Sequence, residues 1–175
     1  MSENARAASA RIVILPVGSD EAESISRLAA EIWRRHYPGI ISEAQIEYML
    51  EQRYAPDRIR LELAHNEAWW DKLAVDGAAV GLTAYFLAQE AGEMKLDKLY
   101  VHPDHQRKGY GGRLIAHVCE RARTMGLSRV TLTVNRRNAQ AIAAYLKHGF
   151  TVRSTRVLDI GAGFVMDDYV MCREL

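Results

Sequence analysis

The sequence has little of what would mark a chain for export, a membrane or a charged polymer. Its 175 residues include only 2 cysteines. Cys119 and Cys172 lie far apart with no CxxC spacing, so they read as reduced thiols and no disulfide is suggested. The formal net charge is +1, too small for the global basic field that draws nucleic acid. The opening MSENARAASA lacks an apolar core, which excludes a secretory signal and leaves a short disordered lead over residues 1–10. The longest apolar stretch, Ala78 to Ala88, is too short to span a bilayer and is broken by Gly81 and Thr83. The 6 histidines show neither HxxxH nor HxH, so no metal is predicted. No repeat, low-complexity tract or Pro/Gly/Ser linker divides the chain. What is present is ordinary: 49% hydrophobic and 26% charged residues, enough for one core. We therefore expect a single domain over residues 11–175, in the cytoplasm, with no nucleic-acid or membrane partner.

The order of elements follows from periodicity. Arg11 to Val17 is a β-branched run ended by Gly18, hence a strand. Ser19 or Asp20 can cap a helix whose apolar positions are Ile25, Leu28, Ala29, Ile32 and Trp33. Tyr37-Pro38-Gly39 stops it. Ser42 with Gln45 is a capping-box pattern opening a second helix, and a short helical piece fits residues 56–64. Trp69 to Val75 and Ala79 to Ala88 read as a hairpin about Asp76-Gly77. Trp69 and Trp70 then point to opposite faces, one into the core and one free to line a cleft. Lys95 to Val101 is a strand with Leu96 and Leu99 out of phase, so its faces are unassigned. An amphipathic helix follows over 112–125, then a strand over Arg129 to Asn135. Asn138 caps a helix to about His148, and a last strand pair closes around Gly161-Ala162-Gly163. The result is an α/β (α+β) chain, a mixed sheet of about seven strands flanked by about four helices.

Between the strand and the amphipathic helix stands "HPDHQRKGYGGRLI", with Gly109, Gly111 and Gly112 close together after a basic cluster. Main-chain N–H groups at a helix N-terminus stabilise an anion, and glycines let the backbone approach it. There is no GxxxxGK[ST] for a P-loop and no GxGxxG for a dinucleotide site. A strained surface turn would explain the glycines alone; the strand before and the helix after favour a phosphate.

The stretch from Val101 to Ile115 closely resembles the coenzyme-binding motif of the GNAT superfamily of N-acetyltransferases, Q/R-x-x-G-x-G/A, met by Gln106 to Gly111. A second stretch, "VNRRNAQAIAAYLKHGF", resembles the family's N-x-x-N-x-x-A-x-x-x-Y-x-K-x-G-F, with Asn138, Ala141, Tyr145, Lys147, Gly149 and Phe150 in register. The resemblance implies the single-domain GNAT fold and acetyl-CoA as donor. It implies a primary amine of a small molecule or protein as acceptor, direct transfer, and leaves room for a homodimer. Carried over by position, the pyrophosphate would be held by the backbone of Arg107, Lys108, Gly109, Tyr110, Gly111 and Gly112. The pantetheine arm would pair with Leu99, Tyr100 and Val101 as an added strand. A bulge in that strand would splay it from the next and open the acyl site. Asn138 would lie near the pantetheine, and His102 could flank the coenzyme.

Amine attack on a thioester needs a proton acceptor, a donor to the oxyanion and an acid for the leaving thiolate. The Val101 N–H suits the second role and Tyr145 the third, its phenol pKa of about 10 standing above a thiol's ~8.5. Thr133 stands where some relatives have a glutamate base and cannot be one. Asp97 is the candidate base, directly or through water, against a plain surface pair with Lys95 or Lys98; Glu93 is a reserve. The acceptor would be selected by His36 to Ser42 and Gly161 to Tyr169. Glu43, Glu47 and Glu51 share a helix face that could attract a polyamine or be simply solvated. Two rivals remain open: an acyl-CoA-binding regulatory module without catalysis, and a nucleotide binder using the same loop.

Overall fold

The structure is a computed structural model that describes residues 10–175. The expected lead lies outside the described residues except for Ala10. The strands are β1 (Ile12–Pro16), β2 (Trp69–Val75), β3 (Ala78–Leu87), β4 (Glu93–Val101), β5 (Arg129–Asn135), β6 (Thr151–Gly161) and β7 (Phe164–Glu174). The helices are α1 (Ala22–His36), α2 (Glu43–Tyr54), α3 (Pro56–Ala64), α4 (Tyr110–Thr124) and α5 (Ala139–Lys147). The short piece at 56–64 is a full helix, opened by Pro56 in its first turn, so the described residues hold five α-helices. No helix among the described residues is long and apolar enough to cross a membrane.

One sheet carries the strands in the order β1-β2-β3-β4-β5-β7-β6. The β4–β5 pair is parallel and α4 supplies its crossover; the other pairs are antiparallel. Asp76 and Gly77 both take positive φ in the β2–β3 hairpin, the left-handed pair that such a two-residue turn needs. Helices α1 to α3 cover one face, burying Ile25, Ile32, Trp33 and Ile59 against Trp70, Leu82 and Ala84. Helix α4 covers the other, burying Ile115, Val118 and Ala122 against Tyr85, Met94, Val130 and Leu132. Trp70 is the core tryptophan of the pair; Trp69 stacks on Tyr85 on the α4 side and is not among the residues that line the main cleft.

Two caps differ from the sequence pattern. Ser42 accepts the Gln45 N–H at 3.2 Å, but the Gln45 side chain does not reach back. It donates to the Val165 carbonyl at 2.9 Å and ties α2 to β7. Neither Ser19 nor Asp20 caps α1; the Gly18 N–H donates to Glu21 Oε2 at 3.1 Å instead.

The register between β3 and β4 fixes the cleft. Ala84 pairs with Lys98 and Tyr85 with Leu96, so Asp97 is one residue too many on β4. This bulge flips the strand's faces, because a one-residue slip exchanges the two sides of a pleat. Leu96 and Leu99 therefore both face α4, while Lys98 and Tyr100 face α1 and α2. Pairing of β4 with β5 stops at Leu96–Leu132, and beyond it the two strands part.

Leu82 is fully buried at the sheet centre, whereas Leu87 is about half exposed. Leu82→Ala is expected to lower unfolding free energy by about 2–5 kcal/mol and Leu87→Ala by under ~0.5. Urea midpoints of the two variants check this; equal losses would contradict the assigned core.

Candidate active site

The cleft opens where β4 and β5 diverge. His102 N–H bonds to the Val80 carbonyl at 2.8 Å, so His102 and Val80 form a hydrogen-bonded pair. Alternate residues of an antiparallel strand face alternate neighbours, so the N–H and C=O of Val101 and Leu99 point away from β3, into the cleft. The backbone of Tyr100 is spent on β3. Of the three residues expected to pair with a strand-like ligand, Leu99 and Val101 present the edge; Tyr100 contributes its ring to the wall. The Val101 carbonyl accepts from Gln106 Nε2 at 3.1 Å, and Gln106 Oε1 accepts from Gln140 at 3.0 Å. Gln106 thus locks the loop to the strand end rather than presenting its own amide.

The loop behaves as a main-chain anchor. Arg107 and Gly109 both have positive φ, at 60° and 81°, which turns the chain into α4. The first N–H bonded within α4 is that of Arg113, to the Gly109 carbonyl, so the N–H groups of Tyr110, Gly111 and Gly112 have no intrahelical partner. Arg107, Lys108 and Gly109 are exposed, and the Tyr110 ring is buried against Leu73, Val80 and Leu114. A Cβ built on Gly111 would meet nothing within 4 Å, while one on Gly112 would lie 2.7 Å from the His148 ring. Gly111 therefore guards open space on the cleft, and Gly112 is set by packing.

The cleft has a cavity volume of about 220 Å³ and runs from Gly111 and Gly112 past Tyr145 to Asp168. Tyr145 is half-buried, its ring edge-on to Phe150, and burial pushes its phenol up to about 12. Asn138 lines the cleft, but its Oδ1 accepts the Ala141 N–H at 3.3 Å and lies 3.2 Å from His36 Nε2, so it is first of all the cap of α5. His36 also lines the cleft, and burial lowers its pKa. His102 lies outside the lining; its Nδ1 accepts the Asp104 N–H.

The two acids expected as base are both engaged. Glu93 is buried between Arg129 and Arg153, each donating at 2.8 Å, and does not line the cleft. Asp97 does line it, but it accepts from Arg53 Nη2 at 2.7 and 2.8 Å and from Lys98 Nζ at 2.5 Å. Burial alone would raise its carboxyl; Lys98 and Arg53 outweigh that and hold it at about 2. A carboxylate so held is a weak proton acceptor. Its first duty is to neutralise Lys98, which is only 3% exposed beneath the rings of Trp70 and Tyr54.

Sequence reasoning missed Asp168. It lies on β7 opposite Asn135 of β5 and Arg156 of β6, is 2% exposed, and its Oδ1 has no hydrogen-bond partner among the described residues. Burial raises its pKa, with Arg156 and Lys95 only partly opposing. Thr133 and Asp168 both border a second cavity of about 150 Å³ that continues the cleft. The sequence signal was slight: Asp168 falls in the closing hairpin expected to face the acceptor, but no motif marks it.

Fold and cleft together are those of an acyltransferase. The family model described as the acetyltransferase (GNAT) family matches residues 26–150, and the chain belongs to that family. It is 26% identical to a spermidine N(1)-acetyltransferase of Thermoplasma acidophilum over 158 residues, 89% of this chain and 96% of the relative. It is 37% identical to an uncharacterized N-acetyltransferase of Mycobacterium tuberculosis over 100 residues, 57% of this chain and 63% of the relative. Among solved structures, the PaiA N-acetyltransferase of T. acidophilum in complex with coenzyme A matches with a TM-score of 0.80 at 22% identity, covering 94% of this chain and 99% of that one.

The Asp97 cluster makes a stability prediction. Its folded pKa of about 2 lies below the unfolded ~3.9, so its stabilisation is complete above about pH 4 and is lost as pH falls towards 2. Asp97→Ala should destabilise the fold by ~3 kcal/mol, because Lys98 stays buried with only Glu62, at 4.0 Å, to answer its charge. Denaturation of both proteins from pH 6 to 2 should show their stabilities converging; a constant gap would contradict the assignment.

Proposed function

We propose that the cleft binds acetyl-CoA and that the protein transfers its acetyl group directly to the primary amine of a small molecule or protein. The observation that carries this reading is the strand edge of Leu99 and Val101, which β5 does not pair, beside a helix N-terminus left open at Gly111. These features fit the two halves of such a donor. The edge accepts an extended amide-bearing arm as an added strand. The free N–H groups of Tyr110, Gly111 and Gly112 suit a pyrophosphate, and Arg107 and Lys108 add exposed positive charge beside them. The likeness to a spermidine N(1)-acetyltransferase supports an amine as acceptor.

When bound, the donor supplies an acyl thioester. The chain's own groups then divide the work. The Val101 N–H points into the cleft and stabilises negative charge on the acyl oxygen. Asp168, with a free oxygen and a raised pKa, replaces Asp97 as the group that takes the ammonium proton. Tyr145 serves the leaving sulfur. With its phenol near 12 it stays protonated at neutral pH, and it acts chiefly by donating a hydrogen bond as charge develops.

Gly111→Val and Tyr145→Phe separate anchor from chemistry. Because no atom lies within 4 Å of the added Cβ, Gly111→Val should fold normally yet lose the thermal shift that acetyl-CoA gives the parent, about 2.7 kcal/mol at 100 times Kd. Tyr145→Phe should keep that shift and release thiol about 10²-fold more slowly. Normal coenzyme binding by Gly111→Val would remove the loop from the site.

A further inference from the structure

Resting on that reading, the end of the cleft beyond the acyl site shows what kind of amine it receives. The second cavity is bordered by Arg53 and Arg156, with Asp168 as its carboxylate, and by Met49, Leu158, Ile160 and Met166. Two guanidiniums and one carboxylate border it, and Arg53 shares its charge with Asp97. Arg53 engages Asp97 through Nη2 alone, leaving Nε and Nη1 without a partner among the described residues. Arg156 is exposed and makes no hydrogen bond or ion pair among the described residues. It pairs in register with Asp168 across β6 and β7, and both residues border the cavity without closing an ion pair.

A polyamine would ask for the opposite arrangement, several carboxylates spaced along an extended channel. The acidic helix face does not provide it. Glu47 is held by two hydrogen bonds from Arg34, at 2.7 Å each, and none of Glu43, Glu47 and Glu51 borders either cavity. A lone ammonium would be drawn to Asp168 but would leave the Arg156 guanidinium on the same cavity unanswered. A molecule with both charges satisfies all three groups at once, since guanidinium groups pair well with carboxylates.

We infer that the acceptor is an amino-acid-like zwitterion with an apolar body: Asp168 receives its ammonium, Arg53 and Arg156 its carboxylate, and the walls of Met49, Leu158, Ile160 and Met166 its side chain. The selecting residues are thus arginines of α2 and β6, and the acidic face of α2 is a solvated surface.

The test needs no change to the protein at first. L-leucine, L-leucinamide and spermidine are titrated calorimetrically into the protein saturated with coenzyme A, and thiol release from acetyl-CoA is followed with the same amines. Leucine should bind about tenfold or more tightly than leucinamide, the loss expected for one charged hydrogen-bonding partner. Arg156→Gln should bring leucine down to the level of leucinamide, which, relieved of a nearby cation, should bind no worse than before. Equal affinities for leucine and leucinamide, or tighter binding of spermidine than leucine, would overturn the inference. Thiol release with spermidine and not with leucine would overturn it too, while leaving the transfer reading in place. Leucine binding with no thiol release from any amine would uphold the recognition site and count against the transfer reading.

Discussion

One extra residue on β4 sets the terms for the rest of the site. With Asp97 bulged out, Lys98 and Tyr100 turn towards the α1–α2 layer and Leu99 turns towards α4. The strand also leaves β5, whose last partner on that side is Leu96. A continuous sheet would have consumed the N–H and C=O groups of Leu99 and Val101 in its own ladder. The bulge leaves them facing a cleft, and the ion cluster of Asp97, Lys98 and Arg53 holds the bulge in place from the helix side. The helix N-terminus, Gln106 and Tyr145 are arranged around that opening.

The same cleft shows how environment gives two like residues different roles. Asp97 and Asp168 are both largely buried carboxylates. Two cations press on the first and fix it as an anion. The second closes no ion pair among the described residues and has one oxygen without a partner there, so burial dominates and its affinity for protons rises. Groups driven apart in this way can hold structure and move protons side by side without exchanging duties.

Much of this was legible in the sequence, and the rest was hidden for physical reasons. The glycine loop and the Asn138-to-Phe150 segment are local: their spacing alone positions an open helix N-terminus and a tyrosine. The bulge also left a trace, since Leu96 and Leu99 fell out of phase in an otherwise alternating strand. That mismatch was the slip itself, though without the pairing of β3 its location could not be read. Asp97 was chosen as base because its partner Arg53 lies 44 residues away on α2, a contact that no local pattern reveals. Asp168 was missed for the converse reason. Isolation is a property of the fold, and a carboxylate next to Asp167 and Tyr169 on a strand looks like any solvated acid.

Amide hydrogen exchange with and without acetyl-CoA bears most directly on the claim that a split sheet and an open helix end hold the donor. The coenzyme should slow exchange at Leu99, Val101, Gly111 and Gly112, whose N–H groups have no partner among the described residues, and leave Tyr100, already bonded to β3, unchanged. Unaltered exchange at Leu99 and Val101 under saturating coenzyme would contradict the account.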